Sequence, residues 1–254
     1  METTLINRVA LVTGAGSGIG QAAALAFARA GARVVVADIN PAGGEETVRQ
    51  ITTAGGEALF VPTDVTQAGA VAALIQQTVA AYGRLDCAFN NAGIGGDAMP
   101  LAEGSEANWD NVINTNLKGV WLGMKYEIQQ FLAQGDGGAI VNCSSVGGQV
   151  GVLGYGPYAA TKHGILGLTK TAALEYAAAR IRVNTVCLGP INTPPYEPLF
   201  RAHPEFRTAL LAQVPLGRLG EPAEAAAAAI WLCSDAASFI TGAALPVDGG
   251  WLAQ

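Results

Sequence analysis

Tyr158 and Lys162 stand four residues apart in the stretch "YGPYAATKHG" of residues 155–164. At that spacing two side chains share one face of a helix, about 6 Å apart along its axis. A phenol and an ammonium so placed can reach one ligand together, as a proton carrier with a cation beside it. Ordinary helix surfaces carry such pairs too, so the rest of the chain decides. "TGAGSGIG", residues 13–20, follows one β-branched run and opens a helix. Its glycines permit a tight turn and close backbone approach, with the helix N-terminus facing a pyrophosphate. Gly14, Ser17, Gly18, Ile19 and Gly20 are the candidate lining. Its spacing differs from the commonest G-x-G-x-x-G fingerprint, and glycines also punctuate simple turns.

Asp38 ends the second β-branched run, eighteen residues beyond Gly20, where an acid reaches the adenosine ribose hydroxyls. "ADINPAGG" equally accommodates a helix cap or turn aspartate. Neither Ala15 and Ser17 in the loop nor Ile39 and Asn40 after Asp38 offers a cation to a 2′-phosphate. The expected cofactor is NAD.

Elements must position these groups. The runs "RVALVTG", "RVVVADI", "ALFVPTD", "LDCAFNNAG", "GAIVNCSS", "IRVNTVCLG" and "AALPVDGG" alternate with longer helical segments, the pattern of βαβ units. They are apolar throughout, as in parallel strands covered on both faces. The expected fold is α/β, a Rossmann-type doubly wound, seven-stranded parallel sheet with helices on both faces. Residues 1–254 form a single domain, and 191–213, with four prolines, interrupt it as a substrate lid.

Charged residues are 13% of the 254, against an average near ~25%. That deficit points to buried helix faces and subunit contacts, here on helices 105–133 and 157–179 through Gly119, Gly123, Gly164 and Gly167. A net charge of -6 provides no basic footprint for nucleic acid or an anionic membrane. Four scattered cysteines without C-x-x-C and two histidines give no metal pattern. The longest apolar run, Ala225 to Cys233, is too short for a membrane span, and the start lacks a basic n-region and long h-region. A cytoplasmic protein is expected.

Together "TGAGSGIG", "NNAG" (90–93), "NTNLKG" (114–119), "CSS" (143–145), "YAATK" (158–162), "GPINTP" (189–194) and "ITGAALPVDGG" resemble the short-chain dehydrogenase/reductase family across essentially the whole chain. The resemblance implies a catalytic tetrad of Asn116, Ser145, Tyr158 and Lys162. Tyr158, not Tyr155, holds the Y-x-x-x-K position, and Ser145, not Ser144, lies thirteen residues before it. For Asn116, chemistry alone favours an amide that caps or kinks a helix. Asp64 and Val65 resemble the adenine-contacting pair, Asn91, Ala92 and Gly93 the cofactor-lining segment, and Pro190, Ile191 and Thr193 the nicotinamide contacts. Tyr158 and Lys162 also meet the cofactor. In the family the lysine holds the nicotinamide ribose and the asparagine positions a water. A homotetramer is the family's usual assembly. Leu188 departs from the proline that usually precedes this Gly-Pro, which bears on how the lid leaves the sixth strand.

The chemistry needs these groups. Moving a hydride between a carbinol carbon and nicotinamide requires a proton to leave or join the oxygen. A free phenol titrates near ~10, and lowering that by three units takes about 4 kcal/mol, which adjacent positive charges supply. Ser145 would orient the substrate oxygen. The expected activity is NAD-dependent hydride transfer on a secondary alcohol or ketone, a small-molecule substrate. A 3-oxoacyl-acyl-carrier-protein reductase-like enzyme and a non-catalytic NAD-binding regulator are the alternatives. A serine hydrolase lacks its G-x-S-x-G, and a methyltransferase leaves Tyr158 and Lys162 unexplained. The pocket walls would be Gly95, Gly96, Gln149 to Tyr155 and Pro194 to Phe206, mostly small or apolar. Arg201, His203 and Arg207 are read as a solvated lid face.

Overall fold

A computed structural model describes residues 4–194 and 196–254. Seven parallel strands run in the order β3-β2-β1-β4-β5-β6-β7. They are β1 (Val9–Thr13), β2 (Arg33–Asp38), β3 (Ala58–Pro62), β4 (Cys87–Asn90), β5 (Gly138–Ser145), β6 (Ile181–Leu188) and β7 (Ala244–Val247). β1 and β4 are buried at every position, whereas the edge strands β3 and β7 are mostly half-buried. Continuous apolar runs are what a strand needs when helices cover both faces.

On one face α1 (Gly18–Arg29), α2 (Pro41–Thr53) and α9 (Pro222–Cys233) pack over a core that includes Phe27, Val34, Phe89, Val141 and Ile230. On the other, α3 (Ala68–Tyr82), α5 (Gly119–Gln134) and α6 (Gly156–Tyr176) cover Leu11, Val35, Leu74, Ile140, Ile165 and Val183. Each such fully buried side chain stabilises the fold by ~1.5–3 kcal/mol. Glycines in the left-handed region, Gly83 and Gly135, terminate α3 and α5; there a side chain would be strained. Strand order reverses between β1 and β4, opening a crevice at their carboxyl ends.

Three expectations require correction. The segment expected as one helix over 105–133 is α4 (Glu106–Val112), a π-helical turn (Ile113–Lys118) and α5. The lid segment, expected as a proline-rich interruption, contains two helices, α7 (Tyr196–Ala202) and α8 (Pro204–Leu211). Pro204 sits in the first turn of α8, where no intrahelical N–H bond is lost; Pro195 lies outside the described residues. Of the small residues expected to face a partner, Gly119, Gly123 and Gly164 instead pack against Val65, Asn90 and Leu117 of the same chain, and Gly167 opens outward.

Leu188 is buried and pairs with Ser145 on one side and Val247 on the other. It extends β6 into the core, where the usual proline would offer no N–H to a ladder. All four cysteines are free and buried.

Candidate active site

Every expected site residue lies at or just beyond the carboxyl ends of the strands, or on α6 and the π-turn facing them. Gly14, directly after β1, has φ +64, and a Cβ there would lie 2.8 Å from the Ala92 Cα. A Cβ on Gly20 would run into the Gly14 carbonyl, so α1 packs directly onto its own loop. Asp38 is drawn into the same unit: Oδ2 accepts from the Gly16 N–H at 2.7 Å and Oδ1 from the Asn40 N–H at 2.8 Å. A Cβ on Gly16 would stand 2.9 Å from that carboxylate. Asn40, not Asp38, caps α2, with Oδ1 accepting from Gly43. Asp38 is half-buried and its neighbour Ile39 is 70% exposed.

Asn91 and Ala92 donate their N–H groups to Thr13 Oγ1 at 3.0 and 3.2 Å, while Asn91 Nδ2 donates to the Thr13 and Gly14 carbonyls. The ends of β1 and β4 are thereby tied together. Asp64 folds back on Thr66, accepting from its N–H and hydroxyl, and Val65 rests against Gly119. Thr13, Val65, Asn90, Ala92, Gly119 and Val120 enclose a narrow cleft. After β6, Ile191 is buried and bridges Gly220, while Thr193 lies over Gly18. Pro190 and Ile191 also line a cavity of about 250 Å³ toward β7, which Asn116, Ser145, Tyr158 and Lys162 do not line.

The four groups of the implied tetrad converge from three elements. Lys162 is buried on α6, its Nζ donating to the Cys143 carbonyl at 2.8 Å and lying 5.4 Å from the Tyr158 ring centroid. Ser144 and Ser145 diverge as expected of neighbours on a strand. Ser144 is buried, donating to the Lys162 carbonyl at 3.0 Å, while Ser145 is half-buried and accepts from the Gly147 N–H at 3.1 Å. A Cβ on Gly147 would meet Val152 at 2.7 Å, Tyr158 at 3.5 Å and Ser145 Oγ at 3.6 Å. Ser145 Oγ and the Tyr158 ring therefore lie close together beside Gly147, where only a glycine fits. Asn116 is buried in the π-turn, accepting from the Ile94 N–H and donating to the Ile94 carbonyl, both at 2.8 Å. It holds the segment after "NNAG" in place; π-turns recur at functional sites.

The rim is apolar: Leu101 is 79% and Leu153 fully exposed, and the Met99 N–H bonds to the Gly154 carbonyl at 2.9 Å. On the lid, Arg201 pairs with Glu197 at 2.8 Å and His203 with Glu205 at 3.3 Å, all exposed. Sequence reasoning missed Thr13, Gly16 and Gly147, whose roles depend on what lies across from them. Thr13 and Gly16 stand inside a motif already noted; Gly147 carries no comparable signal.

A profile of the family described as "Enoyl-(Acyl carrier protein) reductase" matches residues 14–252. The chain is 43% identical over 249 residues to 2,5-dichloro-2,5-cyclohexadiene-1,4-diol dehydrogenase of Sphingobium indicum, covering 98% of each chain. It is 42% identical to cyclohexanol dehydrogenase of Acinetobacter sp., over 100% of this chain and 98% of the other. The chain belongs to the short-chain dehydrogenase/reductase family. Cis-4-hydroxycyclohexanecarboxylate dehydrogenase of Sinomonas cyclohexanicum is 44% identical to this short-chain dehydrogenase, with both chains covered in full. Among solved structures, levodione reductase superposes with a TM-score of 0.92 at 37% identity, covering 98% of this chain and 99% of that one. An Agrobacterium tumefaciens protein solved with bound NADP does so with a TM-score of 0.92 at 39% identity, covering 99% of each.

This short-chain dehydrogenase is an alcohol dehydrogenase or ketone reductase, and its family binds nicotinamide cofactors. The residues present fit such a dinucleotide. Side chains are absent where the loop meets Ala92 and Asp38, and α1 begins at Gly18 with its N-terminus toward the crevice. Among the described residues no helix is long and apolar enough to cross a membrane, and no cluster of metal-binding side chains is present.

Proposed function

We propose that this dehydrogenase uses NAD to interconvert an uncharged secondary alcohol, on an apolar ring, and its ketone. The observation that carries this reading is the approach of Ser145 Oγ and the Tyr158 ring beside Gly147, with the Lys162 ammonium 5.4 Å from that ring and one helical turn on. Exposed Leu101 and Leu153 and the pairing of Arg201 with Glu197 on the lid favour an uncharged ring over an anion. The names of three relatives, each acting on a six-membered carbocycle, support the ring, and two of the three name neutral alcohols, the third a hydroxy carboxylate. For the cofactor, Asp38 keeps a carboxylate beside the glycine loop, and Ile39 and Asn40 carry no positive charge toward a 2′-phosphate.

The bound cofactor supplies the hydride acceptor or donor. Ser145 Oγ hydrogen-bonds the substrate oxygen and sets its distance from Tyr158. The Tyr158 hydroxyl takes the alcohol's proton, or returns it to the ketone oxygen. Lys162, anchored by the Cys143 carbonyl, places a positive charge beside the phenol and favours its deprotonated form. Asn116 fixes Ile94 and so the path of Gly93 to Gly95 past the substrate. Asp64, Val65, Asn91, Ala92 and Gly93 line the adenine and central parts of the groove, and Pro190, Ile191 and Thr193 its nicotinamide end. α7 and α8 form the lid.

Turnover across cyclic alcohols, acyclic alcohols, sugars, steroids and hydroxy acids, with both NAD and NADP, tests the reading. Cycloalkanols with NAD are the expected best pair. Preference for 3-oxoacyl thioesters with NADPH would instead favour a 3-oxoacyl-acyl-carrier-protein reductase-like enzyme. Turnover confined to acyclic alcohols, sugars, steroids or hydroxy acids would overturn the cyclic-alcohol reading.

The working assembly is a homotetramer in this proposal. Trp109 and Trp121 are each 45% exposed and Leu174 85%, on α4, α5 and α6, apolar side chains available to subunit contacts. Light scattering at micromolar concentration should give four times the 25.9 kDa subunit mass. A stable, active monomer would contradict it.

A further inference from the structure

Asn90, Asn142 and Thr185 form one row across β4, β5 and β6, each the register partner of the next. All are buried, and side-chain bonds fix their orientations in sequence. Thr185 Oγ1 donates to Thr169 Oγ1 at 2.8 Å, and Asn142 Nδ2 donates to the same oxygen at 2.9 Å. The Asn142 oxygen is thereby turned toward Asn90, whose Nδ2 donates to it at 3.1 Å and to Glu127 Oε2 at 3.0 Å. Both hydrogens of the Asn90 amide are then used. Glu127, on α5, is wholly buried and its Oε1 has no partner. Gly123 makes room for this arrangement: a Cβ there would stand 2.5 Å from Asn90 Oδ1 and 3.3 Å from Glu127 Oε1. Asn90 directly precedes the Asn91–Gly93 turn and lines the cleft with Thr13, Val65 and Ala92.

We propose that Glu127 is a positioning residue for the cofactor groove, holding the Asn90 amide and through it the Asn91–Gly93 turn. The role rests on the reading of that groove as a nicotinamide dinucleotide site. Glu127 does this as a neutral acid. Burial pushes its carboxyl up to about 8, with the Asn90 bond pulling the other way. Ionisable groups on the surrounding elements leave it uncompensated. Asp86, before β4, is taken by Arg84 and Arg8, and Lys162 on α6 by the Cys143 carbonyl. The thiols of Cys143 and Cys233 are raised chiefly by burial and by the Cys87 contact respectively. The inward face of α3 presents Val71, Leu74, Ile75 and Thr78, without charge.

The sign follows from linkage. Because the folded carboxyl titrates at about 8 and the unfolded one near 4.5, its relative stabilisation is complete below the unfolded value. It is lost as pH rises through the folded one. Ionised, the carboxylate keeps Asn90 but leaves a charged Oε1 in apolar surroundings, so β4 and α5 must loosen to admit water.

The test measures NADH and NADPH dissociation by fluorescence, and the unfolding midpoint, from pH 6 to 9 in wild type, Glu127→Gln and Glu127→Leu. Glu127→Gln should match wild-type affinity at pH 6 and lose the weakening that wild type shows through pH 8. Its unfolding midpoint should exceed the wild-type one increasingly over the same range. Glu127→Leu, folded, should bind about 5-fold more weakly or worse at every pH, the lower end of what an unsatisfied buried donor costs. A folded Glu127→Leu with wild-type affinity, or a Glu127→Gln that follows the wild-type pH curve, would overturn the role. If Glu127→Leu does not fold, the Glu127→Gln curve alone decides. A wild type that binds neither dinucleotide would sink the functional reading and this role with it, while the midpoint series would still report whether Glu127 is neutral.

Discussion

Replacing Tyr158 with Phe lowers turnover by at least the ~10² expected for losing general acid-base catalysis, while dinucleotide binding stays largely intact. The substitution removes one oxygen and leaves the ring that borders Gly147 and Lys162. Packing and the 2.6 Å bond from Thr161 Oγ1 to the Tyr158 carbonyl are unaffected. Steady-state rates with the best alcohol, together with NADH fluorescence, check both halves. Tyr155→Phe is the control and should be far milder: Tyr155 stands at the N-terminus of α6, beside the Met99 bridge, where it shapes the rim. Wild-type turnover in Tyr158→Phe would remove the acid/base assignment.

Asp38→Ala combined with Ile39→Arg should shrink or invert the cofactor preference. In wild type the preference in kcat/KM should favour NAD by at least ~10², about 2.7 kcal/mol. A 2′-phosphate would meet the Asp38 carboxylate as a like charge, whereas ribose hydroxyls would donate to it. The substitution removes the repulsion and adds a phosphate partner at an exposed position. Asp38 also accepts from Gly16 and Asn40, so some stability is lost as well, and the two effects separate cleanly. A fall in unfolding midpoint with an unchanged NAD/NADP ratio would make Asp38 a strut of the loop alone. An unmutated enzyme that prefers NADP would overturn the cofactor assignment and bring the carrier-protein reductase forward.

Strands were legible because their burial on two faces leaves a local mark: seven apolar, β-branched runs, with observed boundaries inside the expected stretches. Helices 105–133 and the lid were less legible. The π-turn accompanies side-chain bonds between Asn116 and Ile94, partners twenty-two residues apart, which no local propensity encodes. In the lid, prolines read as breakers where they stand in first helical turns, since the structural cost of proline depends on its place within the helix. In sequence Glu127 is one charge on a helix, beside Lys125 and Gln129. Its place among Val120, Met124, Ile128 and Phe131 on the buried stripe was the signal that could have found it.

By itself the sequence determined the fold class and the family, and it supplied the candidates for the site: the glycine loop, the acid at the end of the second strand, the Tyr–Lys turn and the serine that goes with it. These are set by residue type at short spacing, which a chain carries before it folds. Tertiary structure decided which way each member faces. Ser144 turned inward and Ser145 toward Gly147 and Tyr158 because neighbours on a strand project to opposite sides. Asp38 closed on Gly16 because only a glycine leaves space there. Asn116 became a clamp on Ile94 rather than a cap, and Glu127 came to rest, uncharged, beneath Asn90. Each of these depends on contacts between distant segments, where burial and the need to satisfy polar groups are determined by the packed neighbours and not by the residue's own place in the chain.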